Sequence, residues 1–401
     1  MNLRGLPGER AASTQAIPVT LRILADENIP AVEHYAGSLA SVERCCGRTL
    51  QPGQLAGADV LLVRSVTRVD AQLLDSSRVR FVGTATSGFD HIDREYLGRR
   101  GIAFAHAPGS NANSVVEYVL AAIAGVGEHL ERVMAGAPVG VIGYGVIGRA
   151  VAARLRALGI NYRVYDPWLS PGAIDQPAPL PDILGCAVIT LHAELTRRQP
   201  WPSHHLLDAA ALARVPADSL LINASRGPVV DNLALSALLE RGGGPDVVLD
   251  VWEGEPRISH GLLGQVQLGT PHIAGYSLDG KLLATRMLVQ AMALALELPW
   301  RDPGSAAGAA PPLQPGAHSR AAAALRHIIS QRYDIAADDA ALRAVTAGAE
   351  LQAAAVSFDR LRRDYPARRE ILGSALAPGP ASPEVLRLLT SLGCIAPAED
   401  A

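Results

Sequence analysis

Short apolar segments alternate with helical stretches along the first part of the chain, and each apolar segment gives way to small or polar residues. The apolar segments are residues 21–25, 60–63, 81–82 and 102–105. This alternation is typical of βαβ units, in which helices cover both faces of a parallel sheet. Small or polar residues follow at 25–28, 64–67 and 83–88. They are predicted to be loops at the carboxyl ends of strands, where open α/β sheets bind ligands.

A second alternating series predicts a separate parallel-sheet domain. A helical segment that begins near Asn113 leads into this series, which extends from Val139 to about Gly275. The following segment, residues 282–298, is helical and apolar enough to pack back against the first sheet. The expected division is therefore a discontinuous substrate-binding domain and one nucleotide-binding domain. The boundaries are residues 19–112 plus 276–301 for the former and residues 113–275 for the latter.

The composition changes after residue 301. Residues 302–318 are rich in Pro, Gly and Ala and contain too few bulky apolar side chains to form a core, which predicts a linker. Residues 319–401 contain further helical patterns, which predict a small third domain of the α+β class. Residues 1–18 are expected to be a loose extension.

Composition and charge narrow the possible partners. The chain has 401 residues, of which 49% are hydrophobic, and this predicts several globular domains. Its net charge of -3 argues against the clustered basic surface that nucleic-acid binding requires. No segment approaches the roughly 20 apolar residues of a membrane span, and residues 1–17 lack the apolar centre of a signal peptide. The cysteines lack the spacing of metal ligands or of a disulfide framework, so we expect no metal site. We expect the cysteines to be reduced and the protein to be cytoplasmic. The cysteines are Cys45, Cys46, Cys186 and Cys394.

A glycine-rich turn between a strand and a helix indicates a cofactor site. Residues 139–142 form an apolar strand, and Gly143, Gly145 and Gly148 follow in the pattern G-x-G-x-x-G at the start of a helix. The first glycine permits a tight turn, and the second lets a pyrophosphate approach the backbone. The third lets the helix lie close to the strand. The sequence therefore predicts a Rossmann-like dinucleotide site.

The next strand favours NAD as the dinucleotide. Backbone amides near Val146 and Ile147 would face the pyrophosphate from the positive end of the helix. Asp166 ends the strand predicted at residues 160–165. A carboxylate there accepts hydrogen bonds from ribose hydroxyls and repels a 2'-phosphate, so NAD is favoured over NADP. The alternative is a structural glycine turn followed by an unrelated aspartate, and the strand-turn-helix context weakens it.

Three later strand ends carry polar groups that can act on a hydroxyl. Arg226, Glu255 and His272 each follow an apolar run, so they can meet at one edge of the second sheet. Arginine can hold a carboxylate bidentately, histidine can remove and return a proton near neutral pH, and a glutamate can stabilise the imidazolium. Asp250 could accept from a nicotinamide carboxamide. The combination predicts oxidation of the 2-hydroxyl of a small hydroxy acid.

Each of these residues also has a structural alternative, namely a surface ion pair, a solvated loop acid and a core histidine respectively. Their joint occurrence behind a dinucleotide site favours catalysis. Other histidines lack comparable partners in the sequence and are expected to be structural. They are His91, His106, His192, His204 and His205.

The chain resembles the D-isomer-specific 2-hydroxyacid dehydrogenase family, and most closely its erythronate-4-phosphate dehydrogenase branch. The resemblance begins near Leu21 and extends to the C-terminus. The segments that carry it are ADENIP (25–30), LLVRSVTRV (61–69), FVGTATSGFDHID (81–93), NSVVEYV (113–119), VVLDVWEGEP (247–256) and HIAGYSLDGK (272–281). It implies NAD-dependent oxidation of 4-phospho-D-erythronate in pyridoxine 5'-phosphate biosynthesis. The alternatives are a sister dehydrogenase for 3-phosphoglycerate, glycerate or lactate, and a non-catalytic NAD sensor.

The resemblance also implies roles for individual residues. It implies catalytic roles for the arginine, glutamate and histidine named above. Substrate contacts are implied for Ser65, Thr86 and Tyr276. Further NAD contacts are implied for Ala193, Ala224, Asp250 and Gly275. Ala193 stands where relatives carry a threonine after His192, so a side-chain hydroxyl is missing while a backbone contact can remain.

The C-terminal domain resembles a module that supports homodimerisation in the same branch. Its most recognisable segment is FDRLRRDYPARRE (358–370). We hypothesise that Arg368 or Arg369 reaches the substrate phosphate across the dimer, because a dianion needs fixed cations. A solvated basic helix face is the alternative.

Overall fold

Two parallel sheets and a C-terminal group of helices make up the molecule. The computed structural model describes residues 21–397, so the extension predicted for residues 1–18 lies outside the described residues. The predicted fold class, with two Rossmann-like parallel-sheet domains, is confirmed. The domain boundaries remain predictions. Within residues 21–397, none of the helices combines the length and the apolar character needed to cross a lipid bilayer.

The first sheet carries the loops predicted to bind the substrate. Its strands are β1 (Leu21–Asp26), β2 (Ala40–Cys45), β3 (Val60–Val63), β4 (Phe81–Thr84) and β5 (Ala103–His106). They are all parallel, in the order β2-β1-β3-β4-β5. The connections contain α1 (Val32–Ala36), α2 (Ala71–Leu74), α3 (Arg94–Arg99) and 3-10 turns at Gly37–Leu39, Gly47–Thr49 and Pro52–Leu55. Every residue of β3 and β4 is buried, as in central strands covered on both faces.

The second sheet carries the glycine-rich turn and the candidate catalytic residues. Its strands are β6 (Val139–Ile142), β7 (Tyr162–Tyr165), β8 (Val188–Leu191), β9 (Leu220–Asn223), β10 (Asp246–Leu249) and β11 (Leu268–Gly269). They are parallel, in the order β11-β10-β9-β8-β6-β7. The helices are α4 (Ala112–Gly125), α5 (His129–Met134), α6 (Val146–Ala157), α7 (Leu180–Leu184), α8 (Ala209–Leu212), α9 (Asn232–Glu240) and α10 (His260–Gln265). Further 3-10 turns lie at Pro171–Ala173 and Gly227–Val229.

After the second sheet the chain returns to the first one. Helix α11 (Leu278–Ala295) places Leu288 and Met292 in one core with Phe81 of β4. The helix begins earlier than the predicted residue 282, because the Ser277 hydroxyl accepts the Gly280 amide at 2.9 Å and so caps the first turn. The first sheet is therefore covered by a helix that is distant from it in sequence.

The C-terminal helices pack against both faces of the second sheet. They are α12 (Ala321–Ser330), α13 (Ile335–Thr346), α14 (Leu351–Arg363) and α15 (Pro383–Leu392). Leu325 and Ile328 join the core on the α4 face, whereas Leu342 and Phe358 join the core on the opposite face. Two isolated parallel bridges join Leu313 to Leu376 and Ala375 to Ile395. This region is therefore in extensive contact with the second sheet.

One carboxylate joins both segments in which the chain crosses between the two sheets. Glu370 Oε1 accepts from the hydroxyls of Ser114, at 2.8 Å, and Ser277, at 2.7 Å. Its Oε2 atom accepts from Asn113 Nδ2 at 2.9 Å. Asn113 and Ser114 lie in the first crossing segment and Ser277 in the second. The C-terminal region is thus bonded directly to both connections.

Candidate active site

The glycine-rich turn has a geometry that only glycine permits at two positions. Gly143 has a φ of +92°, and a Cβ atom on it would lie 2.6 Å from the Ala193 backbone nitrogen. A Cβ atom on Gly148 would lie 1.9 Å from the Gly143 carbonyl oxygen. The start of α6 is thus held tightly against the end of β6, as a dinucleotide site requires.

The open side of this turn fits a pyrophosphate. Gly145 is exposed, and a Cβ atom on it would meet nothing within 4 Å. Val146 is 55% exposed, and Ile147 follows it in the first turn of α6. Backbone amides at this end of the helix have no intrahelical acceptors, so they can donate to an anion.

Asp166 lies at the end of β7, beside the turn. Its two carboxylate oxygens accept the backbone amides of Tyr144, at 2.8 Å, and Trp168, at 3.0 Å. Each oxygen has a further lone pair, so the carboxylate can also accept a ribose hydroxyl. Ala193 is half-buried beside Gly143, and Ala224 is buried at the end of β9. The residues present therefore fit NAD.

His272 and Glu255 form a close pair. His272 Nδ1 lies 2.6 Å from Glu255 Oε1, and both side chains are only about a quarter exposed, at 28% and 26%. Burial by itself would raise the pKa of the Glu255 carboxyl. The hydrogen bond with His272, together with the charges of His272 and Arg362, holds that pKa below its ordinary value. The carboxylate thus stays ionised and fixes Nδ1 as the protonated ring nitrogen, which leaves the Nε2 atom able to accept a proton.

Asp250 holds the loop on which His272 lies. Its carboxylate is buried and accepts the amides of Ile273, at 2.7 Å, and Ala274, at 2.9 Å, as well as the Thr270 hydroxyl at 2.7 Å. His272 has a φ of +56°, in the left-handed region that non-glycine residues rarely adopt. The bonds around Asp250 stabilise this backbone conformation, and they give Asp250 a positioning role.

Arg226 reaches from the second sheet to the loop after β4. Its Nη1 atom donates to the Ser225 carbonyl at 2.8 Å, and its Nη2 atom lies 2.9 Å from where a Cβ atom of Gly88 would be. The Gly88 carbonyl accepts the Thr86 hydroxyl at 2.7 Å. Thr86, predicted to contact the substrate, therefore lies near the guanidinium predicted to bind the substrate carboxylate.

A pocket between loops of the first sheet and helix α14 brings together the other two residues predicted to contact the substrate. Ser65, in the loop after β3, and Tyr276, after the His272 loop, both line it. The C-terminal helix α14 contributes Arg362 to the same pocket. Sequence reasoning missed this arginine, because nothing in the local pattern indicates which turn of α14 faces a loop of the first sheet. Gly275 lies beside Asn111, and a Cβ atom on it would be 2.4 Å from Asn111 Nδ2.

The two arginines proposed for the substrate phosphate are engaged elsewhere. Arg368 is buried, stacks on Tyr333 at 4.2 Å and donates to the Ala274 carbonyl at 2.9 Å. Arg369 is paired with Asp279 at 3.0 Å. Neither arginine is among the residues that line the pocket. The hypothesis that one of them reaches the substrate phosphate across a dimer stays a prediction.

His205 has partners that the sequence did not indicate. Its Nε2 atom lies 2.7 Å from Glu253 Oε1, and Glu253 Oε2 accepts the Asn232 amide at 2.9 Å. With His204, these two residues form the one His/Cys/Asp/Glu group within residues 21–397 close enough to hold a metal ion. Both carboxylate oxygens of Glu253 already accept hydrogen bonds, from His205 and from Asn232. The group therefore joins the loop of His205 to the loop of Glu253.

His192 is buried, and burial lowers its pKa to about 3, so it is neutral.

Comparison with known proteins agrees with this geometry. Residues 124–274 match the NAD-binding domain of the D-isomer specific 2-hydroxyacid dehydrogenases, and residues 310–393 match a domain of unknown function. An erythronate-4-phosphate dehydrogenase of Marinobacter nauticus is 45% identical over 87% of this chain and 92% of its own length. That of Azotobacter vinelandii is 43% identical over 93% and 99% respectively. The chain belongs to the erythronate-4-phosphate dehydrogenase family.

Solved structures agree with the fold of this family. A Thermus thermophilus protein covers 72% of the chain and 100% of its own length with a TM-score of 0.59 and 25% identity. A D-lactate dehydrogenase from Aquifex aeolicus, solved with NAD and lactic acid, covers 69% of the chain and 95% of its own length, with a TM-score of 0.55 and 24% identity. The protein is an NAD-dependent oxidoreductase, as predicted.

Proposed function

We propose that the protein oxidises 4-phospho-D-erythronate to 3-hydroxy-2-oxo-4-phosphooxybutanoate with NAD, as a step of pyridoxine 5'-phosphate biosynthesis. The observation that carries the proposal is the 2.6 Å contact between His272 Nδ1 and Glu255 Oε1. This pair lies in loops of the second sheet, which also carries the glycine-rich turn. High identity to named relatives over most of the chain supports the choice of substrate.

In this mechanism Arg226 binds the substrate carboxylate and orients C2. His272 Nε2 removes the proton of the C2 hydroxyl, and the resulting imidazolium is stabilised by Glu255 through Nδ1. When bound, NAD supplies the acceptor for the hydrogen and electron pair of the C2–H bond. Ser65, Thr86 and Tyr276 contact the substrate hydroxyls and its far end.

The test is NADH formation with purified enzyme and a panel of 2-hydroxy acids. We expect the highest kcat/KM with 4-phosphoerythronate, ahead of erythronate, 3-phosphoglycerate, glycerate and lactate. His272→Ala should abolish turnover and leave NAD affinity unchanged, whereas His34→Ala, an exposed histidine on α1, should retain full activity. Preference for another acid would identify a sister dehydrogenase. No turnover with any acid, despite tight NAD binding, would identify a sensor.

We also propose that the protein is a cytoplasmic homodimer joined through its C-terminal region. Leu351, Val356, Leu372 and Ile395 of this region are each about half exposed or more, which supports an apolar contact surface there. The four free cysteines fit a reducing compartment. Sedimentation should give a dimer, and Val356→Glu should give a folded monomer. A monomeric wild-type protein would contradict the dimer.

A further inference from the structure

Cations from three separate parts of the chain surround Tyr276 at the pocket between the first-sheet loops and α14. Arg64 follows β3, Lys281 lies in the first turn of α11 and Arg362 lies in the last turn of α14. The Lys281 ammonium lies 4.8 Å from the centre of the Tyr276 ring. Arg362 is close enough to Tyr276 and Glu255 that both favour its charge, although burial opposes it, and its pKa lies above the ordinary value. The pocket therefore adjoins the His272–Glu255 pair.

These cations are poorly neutralised within the protein. The carboxylate oxygens paired with Arg64 and Arg362 lie 3.9 Å and 4.0 Å away, beyond hydrogen-bond distance. Arg362 Nε is buried without a hydrogen-bond partner. Lys281 has no ion pair and donates no side-chain hydrogen bond to any residue of the described range 21–397. Burial and the charges of Arg64 and Arg368 lower its pKa to about 8.

The acidic residues of the pocket do not cancel this charge. Asp26 accepts the Asn28 amide at 2.8 Å, and Asp359 is closer to Arg48, at 3.4 Å, than to Arg362. Glu27 is exposed at the rim of the pocket. The acids that line the pocket are Asp26, Glu27 and Asp359. The cations around it are Arg48, Arg64, Lys281, Arg362 and Arg363, of which Arg363 is paired with Asp364 at 2.8 Å. An incoming anion is therefore favoured.

We propose that Arg64, Lys281 and Arg362 bind the phosphate ester of the substrate. The inference rests on the proposed function and adds the specificity site for its phosphate. A substrate with a carboxylate at one end and a phosphate at the other needs cations in two places. Arg226 lies against Gly88, whereas the three cations surround Tyr276. The carboxylate and the phosphate of the substrate would therefore bind to different groups of cations. Arg362 makes the C-terminal region part of the substrate site.

The experiment compares kcat/KM for 4-phosphoerythronate with kcat/KM for unphosphorylated erythronate. Arg362→Met and Lys281→Met should each lower the ratio of the two values by about 10- to 100-fold, the effect of one lost hydrogen bond to a charged group. Arg362→Lys should restore part of the ratio. Arg360→Met is the matched control, because this residue is exposed on the same helix, and its ratio should equal that of the wild type.

The outcomes separate this inference from the proposed function. If the wild-type enzyme does not oxidise 4-phosphoerythronate, the proposed function itself is refuted. A wild-type enzyme that prefers the phosphorylated substrate, with variants that keep the same ratio, overturns the phosphate assignment and leaves the function in place. If Arg362→Met fails to fold, Lys281→Met and Arg64→Met give the same comparison.

Discussion

Glu117 is expected to make the stability of the protein depend on pH near neutrality. The residue lies in α4 and is 1% exposed. Its Oε1 atom accepts the amides of Ile371, at 2.7 Å, and Leu372, at 3.1 Å, whereas Oε2 is buried with no partner. Burial, followed by the charge of Glu370, raises its pKa from 4.5 to about 7. Hydrogen bonds and the charge of Arg368 oppose the rise only in part.

The sign and size of the effect follow from the linkage between protonation of Glu117 and folding. Folding favours the protonated form of Glu117, so its contribution is fully present below pH 4.5 and is lost as the pH rises through about 7. With these two pKa values, the free energy of unfolding should fall by roughly 2.5 kcal/mol between about pH 5 and about pH 8. Glu117→Gln keeps the acceptor at Oε1 and cannot ionise, so it should lack this component.

The assay is urea unfolding of both proteins, followed by circular dichroism across this pH range. The difference in stability between Glu117→Gln and wild type should grow in favour of the variant as the pH rises. Glu370→Gln removes the neighbouring charge, so it should reduce the slope of the wild-type curve without abolishing it. Parallel curves for wild type and Glu117→Gln would show that Glu117 does not titrate in this range, and the reasoning would fail.

Two other predictions concern the catalytic pair and the dinucleotide turn. Glu255→Gln should lower kcat by about 10- to 100-fold in steady-state assays, since a charged hydrogen bond is lost. NAD affinity should stay unchanged, and an unchanged kcat would contradict the role of the pair. Gly148→Ala should destabilise the protein by about 1–3 kcal/mol in thermal unfolding, because the new Cβ meets a carbonyl. Gly145→Ala should keep the wild-type Tm and weaken NAD binding in calorimetry; equal Tm losses would refute the contrast.

The local sequence pattern was sufficient for most of the fold. Buried strands such as β3 and β6 have continuous apolar runs, so their predicted and observed bounds coincide. Strand β2 was not predicted, because it lies at the edge of the sheet and Ser41 and Glu43 on it face the solvent. The start of α11 was placed too late, since its first turn contains Asp279 and Gly280, which resemble a loop in sequence.

Part of the candidate site was likewise predictable from the sequence, and part was not. The positions of Arg226, Glu255 and His272 were predictable because each lies in the loop that follows a strand, and strand ends meet at one edge of a parallel sheet. Their roles remain predictions. The arrival of Arg362 from α14 and the pairing of His205 with Glu253 depend on packing between distant segments. No local pattern contains that information, so only coordinates could supply it.

The bonds of Glu370 have a mechanical consequence. A rotation of the first sheet with its helices against the second sheet requires backbone change in the two segments where the chain passes between them. Since one carboxylate holds Ser114 and Ser277 together, such a rotation is constrained by bonds to the C-terminal region. We therefore expect that loosening this region, for example by truncation, would change how easily the two sheets move relative to each other.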